Sequence, residues 1–115
     1  MQISKSQIAA LIDHSLLKPF ETGEAIQRIC SEAREHRLKA VCVNPIHVAY
    51  AASCLQGASV LICSVVGFPF GTHFSEIKAA EAREVRSLSR KLSLFSNYFF
   101  KPTLRFGSSY KFHAS

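Results

Sequence analysis

Apolar and polar positions along this chain alternate between two periods. Seven residues, Val60–Val66, are apolar except for Ser64 and rich in β-branched side chains, the pattern of a strand buried on both faces. A Gly-Phe-Pro-Phe-Gly turn follows, and Ile77, Ala80, Val85 and Leu88 then recur near the 3.6-residue period of a helix. The same unit occurs twice before it. Leu11–Leu17 has a partial strand-like alternation that Lys18-Pro19 stops, because proline cannot donate to a ladder. Thr22 is then placed to cap a helix reaching about Arg37, with Ala25, Ile26, Ile29, Cys30 and Ala33 on one face. Ala40–Val43 reads as the next strand and Asn44-Pro45 as the cap and first position of the next helix. Val48, Ala51, Ala52 and Leu55 form that helix's inner face, and Gly57 suits its end. A short lead-in helix within Ile3–Leu11, capped by Ser4 or Ser6, precedes all of this.

Strand and helix in strict alternation predict an α/β fold with a parallel sheet; the pattern alone leaves barrel and open sheet both standing. The third helix is expected to extend through about Leu92. No fourth buried strand is legible after it, so the third strand is expected to lie at an open edge. Thr103–Phe106 and Tyr110–Phe112 remain as strand candidates in the last part of the chain.

Charge divides the chain where periodicity fades. All eight acidic residues lie within residues 1–84, matched there by eight basic ones. The remainder carries Arg86, Arg90, Lys91, Lys101, Arg105 and Lys111 against no acid, so the whole formal net charge of +6 belongs to it. Seven of the twelve aromatic residues are there too. We expect residues 1–84 to be one structural unit and residues 85–115 a divergent basic and aromatic tail. Such a tail could bind nucleic acid or another anionic surface, by neutralising phosphates and stacking on bases. The chain is long enough for one modest core. No apolar run approaches the roughly twenty residues of a membrane span, and Asp13 and His14 interrupt the only stretch resembling a signal peptide. A cytoplasmic protein is expected.

The candidate chemistry is sparse. Cys30, Cys42, Cys54 and Cys63 show no C-x-x-C pairing, so free buried thiols are expected, with no metal and no cofactor. Asp13, a carboxylate among apolar neighbours, must be hydrogen-bonded, paired or functional. Cys42 reads as a small core residue or as a thiol lining a substrate site. His14 and His47 read as surface or capping residues. Lys18, an amine near a strand end, could form a Schiff base with a carbonyl compound, but nothing near it in sequence would depress its pKa. Gly67 and Gly71 bracket a loop too irregular for a dinucleotide fingerprint, and turn geometry accounts for them.

Three stretches together, LIDHSLLKP (11–19), AVCVNP (40–45) and VVGFPFGTHFSEIKAAEARE (65–84), resemble the deoxyribose-phosphate aldolase family, over about residues 8–84. The resemblance implies a (β/α)8 TIM barrel, of which only the first three βα units are present, followed by a non-matching tail. It implies cleavage of 2-deoxyribose 5-phosphate to glyceraldehyde 3-phosphate and acetaldehyde through a lysine Schiff base, without metal, by a protein that tends to form homo-oligomers. Asp13 matches the first-strand aspartate of the family's active-site hydrogen-bond network. Cys42 matches a cysteine near the substrate. The family's principal catalytic groups come later: an aspartate on the fourth strand, the Schiff-base lysine on the sixth and a relay lysine on the seventh. This chain departs before them. After Glu84 it reads VRSLSRKLSLF, no acidic residue recurs, and no lysine matches a reactive position. A frameshift, a mis-spliced or mis-predicted exon or a truncated gene would explain the departure and the charge break together. Arg105-Phe106-Gly107-Ser108-Ser109 is loosely similar to the family's phosphate-binding loop, which would imply an internal deletion instead. The expectation is therefore aldolase ancestry with little or no aldolase activity.

Overall fold

Local signals set the element boundaries. The structure, a computed structural model, describes residues 2–97 and 112–114. The Ser4 hydroxyl accepts from the Gln7 amide at 3.2 Å while the Gln7 side chain accepts from the Ser4 amide at 2.8 Å. This capping box opens helix α1, Lys5–Ala9, which buries none of its residues. Strand β1 is Asp13–Leu16. Thr22 caps α2, Gly23–His36, by accepting from the Ala25 amide at 3.1 Å, and Arg37 ends it in the left-handed conformation. After β2, Ala40–Val43, Pro45–His47 forms one 3-10 turn leading into α3, Val48–Cys54. Asn44 occupies the predicted cap position, but its side chain donates to the Lys18 carbonyl at 3.2 Å instead of capping. Strand β3 is Leu61–Val65 and helix α4 is Ser75–Leu88. Strands β4, Leu92–Asn97, and β5, Phe112–Ala114, complete the sheet.

All neighbouring strands pair in parallel and in chain order, β1-β2-β3-β4-β5. A doubly wound sheet would reverse its order at a switch point and carry helices on both faces. Here the order never reverses, and the arrangement is that of an arc of a TIM barrel. The main core joins α2, α3 and α4 to a single face of the sheet through Ile26, Ile29, Val41, Val43, Val48, Leu55, Ile62 and Val85. The opposite face, which a closed barrel turns inward, carries Cys42, Cys63 and Val65 with Leu17 and Phe68 beside them. Ser64, the polar exception in the third strand, is fully buried and satisfied: its hydroxyl donates to the Val43 carbonyl at 2.9 Å.

Two expectations fail. A fourth strand exists, and β3 is not an edge: β4 pairs with it in parallel, with a register shift between Ile62 and Cys63. Helix α4, expected to extend through about Leu92, stops at Leu88, because Ser89 is extended and its hydroxyl accepts from the Lys91 amide at 3.0 Å. Backbone hydrogen bonding supplies the reason for both. The exposed edge of β3 offers unpaired groups, and the Ile62 amide takes up the Lys91 carbonyl at 3.0 Å. Lys91 also donates to the carbonyls of Leu55 and Ala58 beyond the end of α3, and Arg86 donates to that of Leu92. The composition break at Glu84 thus falls inside α4. Of the strand candidates in the tail, Thr103–Phe106 lies outside the described residues, and only Phe112 of Tyr110–Phe112 lies in a described strand.

The helical period of α4 is real, but its inward face differs from the apolar stripe. Lys78, Ala79, Ala82 and Val85 are buried, while Ile77 is 56% and Leu88 40% exposed. Ile77, Ala80 and Leu88 instead line an outer groove of about 520 Å3 with Pro45 and Ile46.

Candidate active-site face

Side chains alternate along each strand, so β1, β2 and β3 each send every second residue to the face away from the helices. Asp13 is the first residue of β1; Cys42 and Cys63 are each the third residue of their strands and directly paired in register. A carboxylate oxygen of Asp13 and the two sulfurs lie within 4.8 Å of one another. Asp13 and Cys42, the two residues singled out in the sequence, therefore do meet. Cys63 was missed as a site residue. It lies one βα repeat after Cys42, and the matching third positions of AVCV and LICSV were the available signal.

The electrostatics follow from the packing. Both cysteines are 2% exposed. The Cys63 thiol, which points to the Ser64 carbonyl at 3.6 Å, is pushed strongly up in pKa. Its hydrogen bond with Cys42 contributes most, then burial, then the charge of Cys42 and, after it, that of Asp13. Cys63 is therefore a poor nucleophile at neutral pH. Much of Asp13 is open to solvent, yet partial burial around its carboxyl raises its pKa, opposed by Cys63, Lys39 and His14. A carboxyl held easier to protonate than usual is suited to hydrogen-bond exchange with a bound hydroxyl or carbonyl.

This shift has a measurable consequence. A raised folded-state pKa means the folded chain binds the proton more tightly than the unfolded one. Stability from this group is therefore present in acid and lost as pH rises through the folded pKa. Asp13→Asn is expected to leave the melting temperature at pH 7 unchanged or higher, with the difference shrinking as pH falls into the carboxylate range. Thermal melts of both proteins across pH check this; a lower melting temperature for the variant at pH 7 would instead make Asp13 a structural ion-pair partner.

The other candidates fall elsewhere. His14 points to the helix side, where its Nε2 lies 2.7 Å from Glu32 Oε2 on α2. His47 ends the 3-10 turn before α3 and makes no side-chain cap bond. Lys18 is exposed. All four cysteines are free, three of them buried. Gly67 and Gly71 both have positive φ, in accord with turn geometry. The loop they bracket, at the C-terminal end of β3, is held down by α4. Glu81 accepts from the Gly67 amide at 2.9 Å, and the buried Lys78 donates to the Gly71 carbonyl at 3.0 Å. Among the described residues no helix is long and apolar enough to cross a membrane.

Comparison with known proteins agrees with this geometry. The chain is 53% identical over 73 residues to a deoxyribose-phosphate aldolase of Acholeplasma laidlawii, covering 64% of this chain and 33% of that protein. It is 49% identical over 76 residues to one of Staphylococcus epidermidis, covering 66% and 34%. The tetrameric deoxyribose-phosphate aldolase structure from Aeropyrum pernix superimposes with a TM-score of 0.76 at 26% identity, over 83% of this chain and 40% of that one. No family model matches the chain. The chain spans about a third of the length of the curated relatives it matches. Sequence, sheet order and relatives converge, and through its N-terminal portion, about residues 8–84, the chain is similar to deoxyribose-phosphate aldolases.

Proposed function

We propose that this chain carries one wall of an aldolase-type site for a small phosphorylated sugar or aldehyde, with little or no aldolase activity of its own. The supporting observation is the state of the lysines among the described residues. Class I aldol chemistry needs an amine of depressed pKa beside a proton relay. Lys5, Lys18 and Lys39 are exposed. Lys78 and Lys91 are engaged on backbone carbonyls, away from Asp13 in role and element. No acidic residue follows Glu84 to take the part of the fourth-strand aspartate. Asp13 and Cys42 would contribute hydrogen bonding and shape to a substrate without performing the bond cleavage.

Borohydride reduction in the presence of acetaldehyde tests this. The expected result is no stoichiometric ethylation of any lysine in the intact polypeptide, by mass spectrometry. One modified lysine per chain would overturn the proposal. The family resemblance supports a cytoplasmic location, and homo-oligomers for the relatives. We further infer that residues 85–115 depart from the family through a change of reading frame or a deletion. A Gly-Ala-Asp-Glu-Ile-Asp strand encoded in another frame downstream of codon 84 would bear out the frame change.

A further inference from the structure

We propose that Asp13, Cys42 and Cys63 form a binding site for one thiophilic divalent cation of the zinc class, with two sulfur ligands, one carboxylate oxygen and a fourth position open. Two thiolates with an oxygen donor suit a borderline-soft ion, and three protein ligands with one open position form a recurring coordination set. The distances are close to those required. Sulfur ligands at about 2.3 Å from a tetrahedral ion lie roughly 3.8 Å apart, against donor separations of at most 4.8 Å here. Rotamer adjustment within the cluster covers the difference, because the three residues stand on adjacent parallel strands and face the same side.

The surroundings suit a metal as well. Val65, Leu17 and Phe68 pack against the two cysteines and keep that side dry, which strengthens ion–ligand attraction. Binding replaces the two thiol protons, which leave to solvent, so the filled site carries one net negative charge. Lys39, near enough to act on the Asp13 carboxyl, offsets it. The remaining thiols, Cys30 and Cys54, also lie side by side, with burial pushing Cys30 up to about 12. Among the described residues they have no third histidine, cysteine or carboxylate donor in reach. They supply an internal control.

The site does not depend on aldolase activity, and its test is independent of borohydride trapping. The full chain is titrated with Cd2+, and the ultraviolet thiolate-to-metal absorption is followed. One equivalent should saturate a band that Cys42→Ser and Cys63→Ser each diminish or abolish, while the Cys30→Ser/Cys54→Ser double variant retains it in full. Asp13→Asn, at an exposed position, should keep the band and weaken binding by at least about tenfold. Circular dichroism of each variant before titration separates loss of a ligand from loss of fold. A band that follows Cys30 and Cys54, a stoichiometry above one, or affinity unchanged in Asp13→Asn would overturn the assignment. So would the absence of any band in the folded wild-type chain.

Discussion

Replacing Ile62 by alanine should abolish the cooperative folded state, or lower the urea midpoint to near zero. Ile62 is fully buried at the middle of the sheet, paired with Val41 on one side and Leu92 on the other, and packed against the helical layer. Cutting a buried isoleucine to alanine costs about 2–5 kcal/mol, from lost transfer energy and from the cavity left behind. Small domains hold only about 5–15 kcal/mol in total, and an arc of a barrel with unclosed edges sits at the low end of that range. Ile77→Ala is the matched control. Ile77 is more than half exposed on α4, so its truncation should stay within about 0.5 kcal/mol of wild type. Urea unfolding followed by far-ultraviolet circular dichroism reads both. Equal effects would mean that α4 packs through Ile77 and not through Ala79, Ala82 and Val85.

Gly67→Ala should be the most damaging change in the loop after β3. Two costs add there. At φ of +62° a β-carbon is strained, by about 1–2 kcal/mol. The added carbon would also stand 2.7 Å from Cδ and 2.9 Å from Cγ of Lys78. A free lysine would swing aside, but this stem is buried and its Nζ is held by the Gly71 carbonyl. Moving it sacrifices a charge-assisted hydrogen bond, about 1.5–3 kcal/mol. The expected total is roughly 2.5–5 kcal/mol. Gly57→Ala isolates the first cost, since Gly57 has φ of +76° but open space around its β-position. Its loss should be about 1–2 kcal/mol. Equal losses in chemical denaturation would show that Lys78 does not anchor the loop.

Much of this architecture is legible in the chain because its causes are local. Thr22 and Arg37 bound α2 through a side-chain oxygen and a left-handed terminus, both properties of a few neighbouring residues. Ala40–Val43 and Leu61–Val65 read as buried parallel strands because apolar β-branched runs have few other stable states. The candidate site was half legible. Asp13 drew attention as a carboxylate in apolar company and Cys42 through its motif, whereas Cys63 carried no local mark. Its partnership with Cys42 spans 21 positions and arises only when successive strands lie in register. Metal-ligand spacing sought within one loop passes over such a pair.

The sequence by itself determined the βα alternation, the resemblance to deoxyribose-phosphate aldolases and the point near Glu84 where that resemblance stops, since each rests on residue identity and short-range periodicity. Tertiary structure decided what residue identity leaves open. The order β1 to β5 selects the barrel arc over a doubly wound sheet. The unpaired edge of β3 draws Leu92–Asn97 into a strand that its own pattern did not announce. The inward face of α4 follows the fit of small alanines against the sheet rather than its larger apolar residues. Parallel pairing also brings Asp13, Cys42 and Cys63 together. Each of these outcomes depends on backbone hydrogen bonds and packing between distant segments, whose free energy exists only once the segments meet.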